Sequence, residues 1–215
     1  MKKINPTKQT YDALNKAYEF FNRRLFDGTL PPCLVTLQRR NRAYGYFFGE
    51  RFATRDGKEV TDEIALNPRF FQDRTTEQSL STLTHEMVHL RQHHFGKPSR
   101  AAYHNKEWAK MMMEVGLQPS TTGQPGGRTT GQTCSHYILP GDRFAVACAE
   151  LLKSGCDITY VEVLHDESEA QRKRETKTKY TCPKCRLNAW AISGVIIFCG
   201  ECEKPTLMKP AKSPR

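Results

Sequence analysis

The sequence predicts an α+β fold in which helices pack on a small β-sheet, followed by a small module stapled by metal. Three observations carry this. Apolar residues recur at spacings of three and four along two long segments, the period of an amphipathic helix. Short runs rich in Val, Ile, Tyr and Phe lie between them, bounded by Gly- and Pro-bearing turns. Four of the eight cysteines fall in two CxxC pairs near the C-terminal end, a spacing suited to a tetrahedral thiolate site. A length of 215 residues accommodates one good-sized domain plus something smaller.

The first helix is expected from Thr10 to Leu25, where Tyr11, Leu14, Ala17, Tyr18, Phe21 and Leu25 form one apolar stripe. Asp27-Gly28 and Pro31-Pro32 stop it. Three strands should follow, at Leu34 to Gln38, Tyr44 to Phe52 and Glu63 to Leu66, with a turn at Arg55-Asp56-Gly57-Lys58. A second long helix runs from about Glu77 to His94, ended by Gly96 and Pro98, and a third from His104 to Val115. Pro119 to Thr133 is dense in Gly, Pro, Ser, Thr and Gln and reads as a flexible connector. A short helix at Arg143 to Leu152 and a β-rich segment at Ile158 to Val163 complete the domain. The expected division is thus residues 1–165 as the main domain, 166–179 as a charged linker, and 180–215 as a cysteine module with a basic tail.

Lys and Arg total 33 against 23 Asp and Glu, a formal charge of +10. Such an excess favours an anionic partner such as nucleic acid, though alone it speaks to solubility and steering. No apolar run approaches the roughly 18 residues that span a membrane. The first residues carry Asn, Pro, Thr and Gln where an export signal needs an apolar core. The expectation is a cytoplasmic or nucleoid-associated protein whose cysteines bind metal rather than form disulfides.

Thr84-His85-Glu86-Met87-Val88-His89-Leu90 holds the most chemistry. On a helix His85 and His89 stand one above the other, about 5.4 Å apart, and can grip one Zn²⁺ from the same side. Glu86 lies next to His85, placed to take a proton from an attacking water without being a ligand. This is the HExxH arrangement of metal-assisted hydrolysis. The bland reading is a histidine pair on an amphipathic helix. Leu80, Leu83, Met87, Val88 and Leu90 weigh against it, because they embed the motif where unliganded polar groups carry a desolvation cost.

A third ligand is needed. His93 lies eight residues from His85, roughly 12 Å along the axis, too far to share one ion, and His94 faces the opposite side. His104 is better placed, since Phe95 to Ser99 turns the chain so that the next helix can fold back beside His89. Glu107 is the second candidate, or a partner to a ligand.

HEMVHLRQHHFGKPS, YHNKEWAKMMMEVGLQPS and TGQPGGRTTGQ with Ser135-His136-Tyr137-Ile138 resemble the SprT family of zinc metalloproteases. Its eukaryotic members, called Spartan, degrade proteins crosslinked to DNA. The resemblance covers most of the chain, from Leu25-Phe26-Asp27-Gly28-Thr29-Leu30-Pro31 to the last cysteine pair. It implies a minimal zincin-like domain in which His85, His89 and His104 bind the catalytic zinc and Glu86 is the general base. Tyr103, beside a ligand, is a candidate oxyanion donor or a packing residue.

Cys182, Cys185, Cys199 and Cys202 read as a structural Zn²⁺ site, a zinc ribbon. Residues 189–192 and 195–198 flank Ser193-Gly194, which suggests a hairpin. About 35 residues hold too small a core to fold alone, so the metal supplies much of the folding free energy. Lys179, Tyr180, Lys184, Arg186 and Trp190 are candidate nucleic-acid contacts, cations for phosphates and aromatics for exposed bases. The plainer account has Trp190 packing on the hairpin. Arg39, Arg40 and Arg42 near Tyr44 and Tyr46 form a second basic-aromatic cluster. Cys33, Cys134, Cys148 and Cys156 are expected as buried reduced thiols, with a site built from Cys134, His136, Cys148 and Cys156 as the alternative.

The expected function is therefore a zinc endopeptidase with one catalytic and one structural ion, acting on proteins bound to single-stranded or damaged DNA during repair. The competing expectation is a non-catalytic DNA- or polymerase-binding protein in which both ions are structural. Glu86 separates the two, because a purely structural site has no use for it.

Overall fold

A computed structural model describes residues 5–100, 103–163 and 177–210. The chain divides into two compact units, residues 1–163 and 164–215. Both are mixed or β in content, and together they give the α+β class with a cysteine cluster near the C-terminal end. Among the described residues no helix is long and apolar enough to cross a membrane.

In the first unit, helix α1 spans Pro6–Leu25. It begins earlier than the apolar stripe suggests because Asn5 caps it, accepting the Lys8 N–H, with Pro6 at the first helical position. Leu14, Ala17, Tyr18, Phe21 and Leu25 are buried as expected, whereas Tyr11 is exposed. Strands β1 (Leu34–Leu37), β2 (Gly45–Ala53) and β3 (Val60–Leu66) form one sheet in the order β1-β3-β2. β1 is parallel to β3 and β2 antiparallel to it, with an irregularity in register between Phe48 and Phe52.

Helix α2 (Thr76–Phe95) is the centre of the unit. A capping box between Thr75 and Gln78 fixes its start. Every residue from Ser79 to Val88 is buried, so this stretch of the helix is enclosed on all sides rather than amphipathic, and the last turn emerges to the surface. Its hydroxyls are spent locally: Ser81 and Thr84 donate to the carbonyls of Gln78 and Leu80. Helix α3 (Lys106–Glu114) packs Trp108, Ala109 and Met112 into the same core. Helix α4 (Arg143–Lys153) adds Phe144, whose ring lies 5.5 Å from that of Phe21. Each such ring buried contributes roughly 1.5–3 kcal/mol.

Three expectations are corrected in this unit. α3 starts at Lys106, because Asn105 caps it by accepting the Trp108 N–H, so His104 lies outside the helix. The 119–133 stretch is not a loose connector. Its first residues belong to β4 (Leu117–Ser120), which pairs antiparallel with β5 (Ser135–Ile138), and the turn between is pinned by Thr121 N–H to Arg128 and by Ser120 Oγ to Gln124. Gly and Pro there serve tight turns. Residues 158–163 form no strand; they are tied down by side chains, with Thr159 accepting from Gln9 and Glu162 paired with Arg39.

The second unit holds β6 (Thr178–Thr181), β7 (Asn188–Ala191), β8 (Phe198–Cys199), β9 (Thr206–Leu207) and β10 (Lys209–Pro210). Thr178 and Lys179, assigned to the linker from sequence, begin its first strand; residues 166–176 of that linker lie outside the described residues. The expected hairpin of 189–192 with 195–198 does not form. β7 pairs with β6, and β8 pairs with β9, because the two CxxC turns must face each other.

Candidate metal centre

One ligand atom from each of His85, His89 and His104 lies within 4.8 Å of the others. The three imidazoles surround a common point, with ring centroids 4.9–5.6 Å apart. His85 and His89 come from one face of α2, as their spacing dictates. His104 arrives from the turn before α3, held by a backbone bridge in which its N–H donates to Gly131 at 2.9 Å and Gly131 N–H returns at 3.1 Å. The floor is Trp108, fully buried, stacked on His89 at 5.2 Å and edge-on to His85 and His104.

Burial holds all three histidines neutral. It pushes His89 down to about 3 and lowers His104, and it lowers His85 well below the ordinary range, with like charge from His136, His89 and His104 adding to it. Neutral imidazole is the form that binds metal. Hydrogen bonds then choose the tautomers. His104 Nδ1–H donates to the Gly131 carbonyl at 3.2 Å, which leaves Nε2 as its donor atom.

For His85 the choice runs through a relay that sequence reading did not foresee. Ser81 spends its one proton on the Gln78 carbonyl, 2.8 Å away. Its oxygen therefore accepts from His136 Nε2–H at 2.9 Å. His136 Nδ1 is then bare and accepts from His85 Nδ1–H at 3.0 Å. His85 Nε2 is left with a free lone pair. His136, on β5, is half-buried at the surface of the unit, and loss of solvent around its ring together with the Arg74 charge lowers it to about 3. The one sequence signal was Ser81, four residues before His85 on the same helix face.

Glu86 is 6% exposed, and burial pushes its carboxyl up to about 8, opposed by the Arg40 charge and the Phe47 backbone N–H. Gly45 lets β2 approach it: a Cβ there would sit 2.8 Å from the Ala65 carbonyl, 2.9 Å from Thr82 and 3.3 Å from Glu86 Oε1. A buried carboxyl with raised proton affinity, next to the histidine triplet, is suited to holding and returning a proton.

Glu107 is not at this point. It accepts from Gln92 and from the Lys97 N–H, both at 2.7 Å, and so fixes the α2–α3 turn; the Lys97 amide is the main reason its pKa is lowered. Tyr103 has Arg100 over its ring at 5.3 Å. In the basic-aromatic cluster, Arg40 lies on Tyr46 at 4.9 Å and Arg74 on Tyr44 at 4.3 Å, so these cations are partly engaged within the fold. Cys134, Cys148 and Cys156 are buried free thiols and Cys33 a half-buried one. Among the described residues Cys134, His136, Cys148 and Cys156 do not converge as metal ligands.

In the second unit, Cys182, Cys185, Cys199 and Cys202 do converge. Cys182 and Cys202 sulfurs are 3.7 Å apart, and those of Cys185 and Cys199 3.5 Å. Two thiolates 2.3 Å from one tetrahedral zinc lie about 3.8 Å apart, whereas a disulfide needs about 2.05 Å. The backbone N–H groups of Cys185 and Lys184 pull the Cys182 thiol down to about 6. Both donor sets fit zinc.

Of the residues expected to meet nucleic acid, Lys179, Lys184, Arg186 and Trp190 are exposed, Trp190 at 60%. Lys179 and Trp190 are cross-strand partners, and Lys209 pairs with Thr181 on the same face of the three-stranded sheet. Tyr180 is a correction. It is 3% exposed, donates to the Ile192 carbonyl and accepts the Gly194 N–H, so it is a core residue of the ribbon and cannot stack on a base.

A model of the SprT-like family matches residues 14–129, more than half of the chain. A protein from Salmonella typhimurium, described as "Uncharacterized protein in mucB 3'region", is 54% identical over 59 residues, which is 27% of this chain and 80% of that relative.

Proposed function

The chain belongs to the SprT-like family, and on that premise we propose that it is a zinc-dependent endopeptidase acting on proteins bound or crosslinked to DNA, in the repair of damaged DNA. The observation that carries the reading is the convergence of three neutral imidazoles, two from α2 and one from the turn before α3, beside the buried carboxyl of Glu86. A structural metal site gains nothing from Glu86, whose burial lifts its affinity for protons.

His85, His89 and His104 would hold the catalytic zinc, and the four ribbon cysteines a structural one. A zinc ion bound there supplies Lewis acidity toward a peptide carbonyl and a water. Glu86 takes the proton of the attacking water on its carboxylate and returns it to the departing amine. The Phe47 amide holds that carboxylate, and the missing side chain at Gly45 leaves room for it. His136 and Gly131 keep the donor nitrogens of His85 and His104 unprotonated.

The DNA part rests on charge and on the ribbon. A net +10 favours a polyanion, and the outer sheet face joins Trp190 to Lys179 and Lys209. Stacking and phosphate contacts there would recruit the protease to its substrate.

The test compares wild type with Glu86→Gln on a protein substrate bound to single-stranded DNA. Cleavage should fall by roughly 10²–10⁴-fold while zinc content stays the same, and wild-type cleavage should weaken steeply as salt rises. Equal cleavage by both proteins, or none by either, rejects the peptidase reading. Cleavage indifferent to DNA and salt leaves a peptidase but rejects DNA recruitment.

A further inference from the structure

His93 and His94, in the last turn of α2, take no part in the centre described above. They meet Asp62 of β3. One ring nitrogen from each histidine and one Asp62 oxygen lie within 4.8 Å of one another, with His94 Nε2 2.7 Å from Asp62 Oδ2. Neighbouring residues on a helix diverge by about 100°, so two consecutive imidazoles converge only if something turns them together.

Here β2 does so. His93 packs its ring against Phe47 at 5.5 Å and lies directly on Gly49, where a Cβ would come within 2.7 Å of its Cε1 and Nε2. Asp62 is equally constrained. It is 4% exposed, and its Oδ1 accepts the Glu50 N–H at 2.7 Å. Glu50 takes a φ of 52° within the irregular stretch of β2 between Phe48 and Phe52. The bulge thus fixes one carboxylate oxygen and leaves the other facing the histidines. Among the described residues His93 makes no hydrogen bond, so its ring nitrogens are available.

We propose that Asp62, His93 and His94 form a third metal site, taking a divalent first-row transition ion of the Zn²⁺ class. Two imidazoles and a carboxylate suit Zn²⁺ rather than Mg²⁺ or Ca²⁺, which prefer oxygen donors alone. The ion replaces the proton now shared between His94 and Asp62 and ties the end of α2 to the sheet. Both histidines are exposed, so water completes the coordination, and the ion exchanges more readily than one held by four thiolates. Nothing in this depends on peptidase activity.

The test uses the full chain, zinc-loaded and desalted, titrated calorimetrically with Zn²⁺ and followed by metal analysis and thermal melting. Wild type should take up one further equivalent and melt at a higher temperature with it. His93→Gln and His94→Gln, each at an exposed position, should bind that equivalent at least tenfold more weakly while keeping the zinc they were isolated with and melting like wild type before zinc is added. If wild type takes up no further zinc, or both variants take it up as wild type does, the site does not exist and His94 and Asp62 are simply a hydrogen-bonded pair.

Discussion

Replacing His136 by alanine removes a residue that touches no zinc ligand atom yet sets which nitrogen of His85 is free. Its bonds to His85 and Ser81 measure 3.0 and 2.9 Å. Bonds of this kind contribute about 0.5–1.5 kcal/mol each, so losing the pair removes about 1–3 kcal/mol of bias toward the binding tautomer. At about 1.4 kcal/mol per factor of ten, zinc affinity at the histidine centre should fall between roughly 5- and 150-fold. Competition against a chromophoric chelator measures this, because zinc held by the four ribbon thiolates should be retained when an ion at the histidine centre is withdrawn. His136→Gln, whose amide oxygen can accept from His85 Nδ1–H, should recover part of the loss, and Ser81→Ala should show a smaller one. An affinity for His136→Ala within twofold of wild type, with the fold intact, would refute the relay.

Cys182→Ser with Cys185→Ser should remove one zinc per chain and unfold residues 178–210 by circular dichroism, leaving the histidine-bound zinc in place. Trp190→Ala should weaken single-stranded DNA binding by about 1–3 kcal/mol, measured by fluorescence anisotropy at fixed salt. Tyr180→Phe should leave that affinity unchanged and instead lower ribbon stability, since it loses the bonds to Ile192 and Gly194. Burial pushes the Cys33 and Cys148 thiols up to about 12. At pH 8, below that value, both remain thiols, so mass spectrometry should find them alkylated far more slowly than a free cysteine, with the rate rising toward pH 10.

The parts of the fold written in local periodicity were legible. The stripe of α1, the histidine spacing on α2 and the paired CxxC turns each depend on residues a few positions apart. What sequence hid depends on partners far along the chain. His104 reads as helical from sequence because nothing local shows that Gly131, twenty-seven residues on, pairs with its backbone; Asn105, three residues before Trp108, is a local sign that α3 starts later. The Gly- and Pro-rich stretch before Gly131 looked loose for the same reason, since turn residues in a structured turn and in a linker have the same composition. Tyr180 was read as a base-stacking ring, yet its place on the inner face follows from the β6–β7 register, which sequence does not specify. Helix geometry sets His93 and His94 apart from the triplet of His85, His89 and His104, but their meeting with Asp62 depends on the β2 bulge.

The bridge between His104 and Gly131 also has a meaning in time. During synthesis α2 emerges with two histidines, enough for a weak hold on zinc. The third donor gains its fixed position and tautomer only after residue 131 has been made and the β4–β5 pair has closed around it. Tight zinc capture is therefore expected late, after the segment spanning α3 and both strands has folded. Loading would then report assembly: a chain truncated before Gly131 should hold the ion loosely, and tight binding should appear only once its first unit is complete.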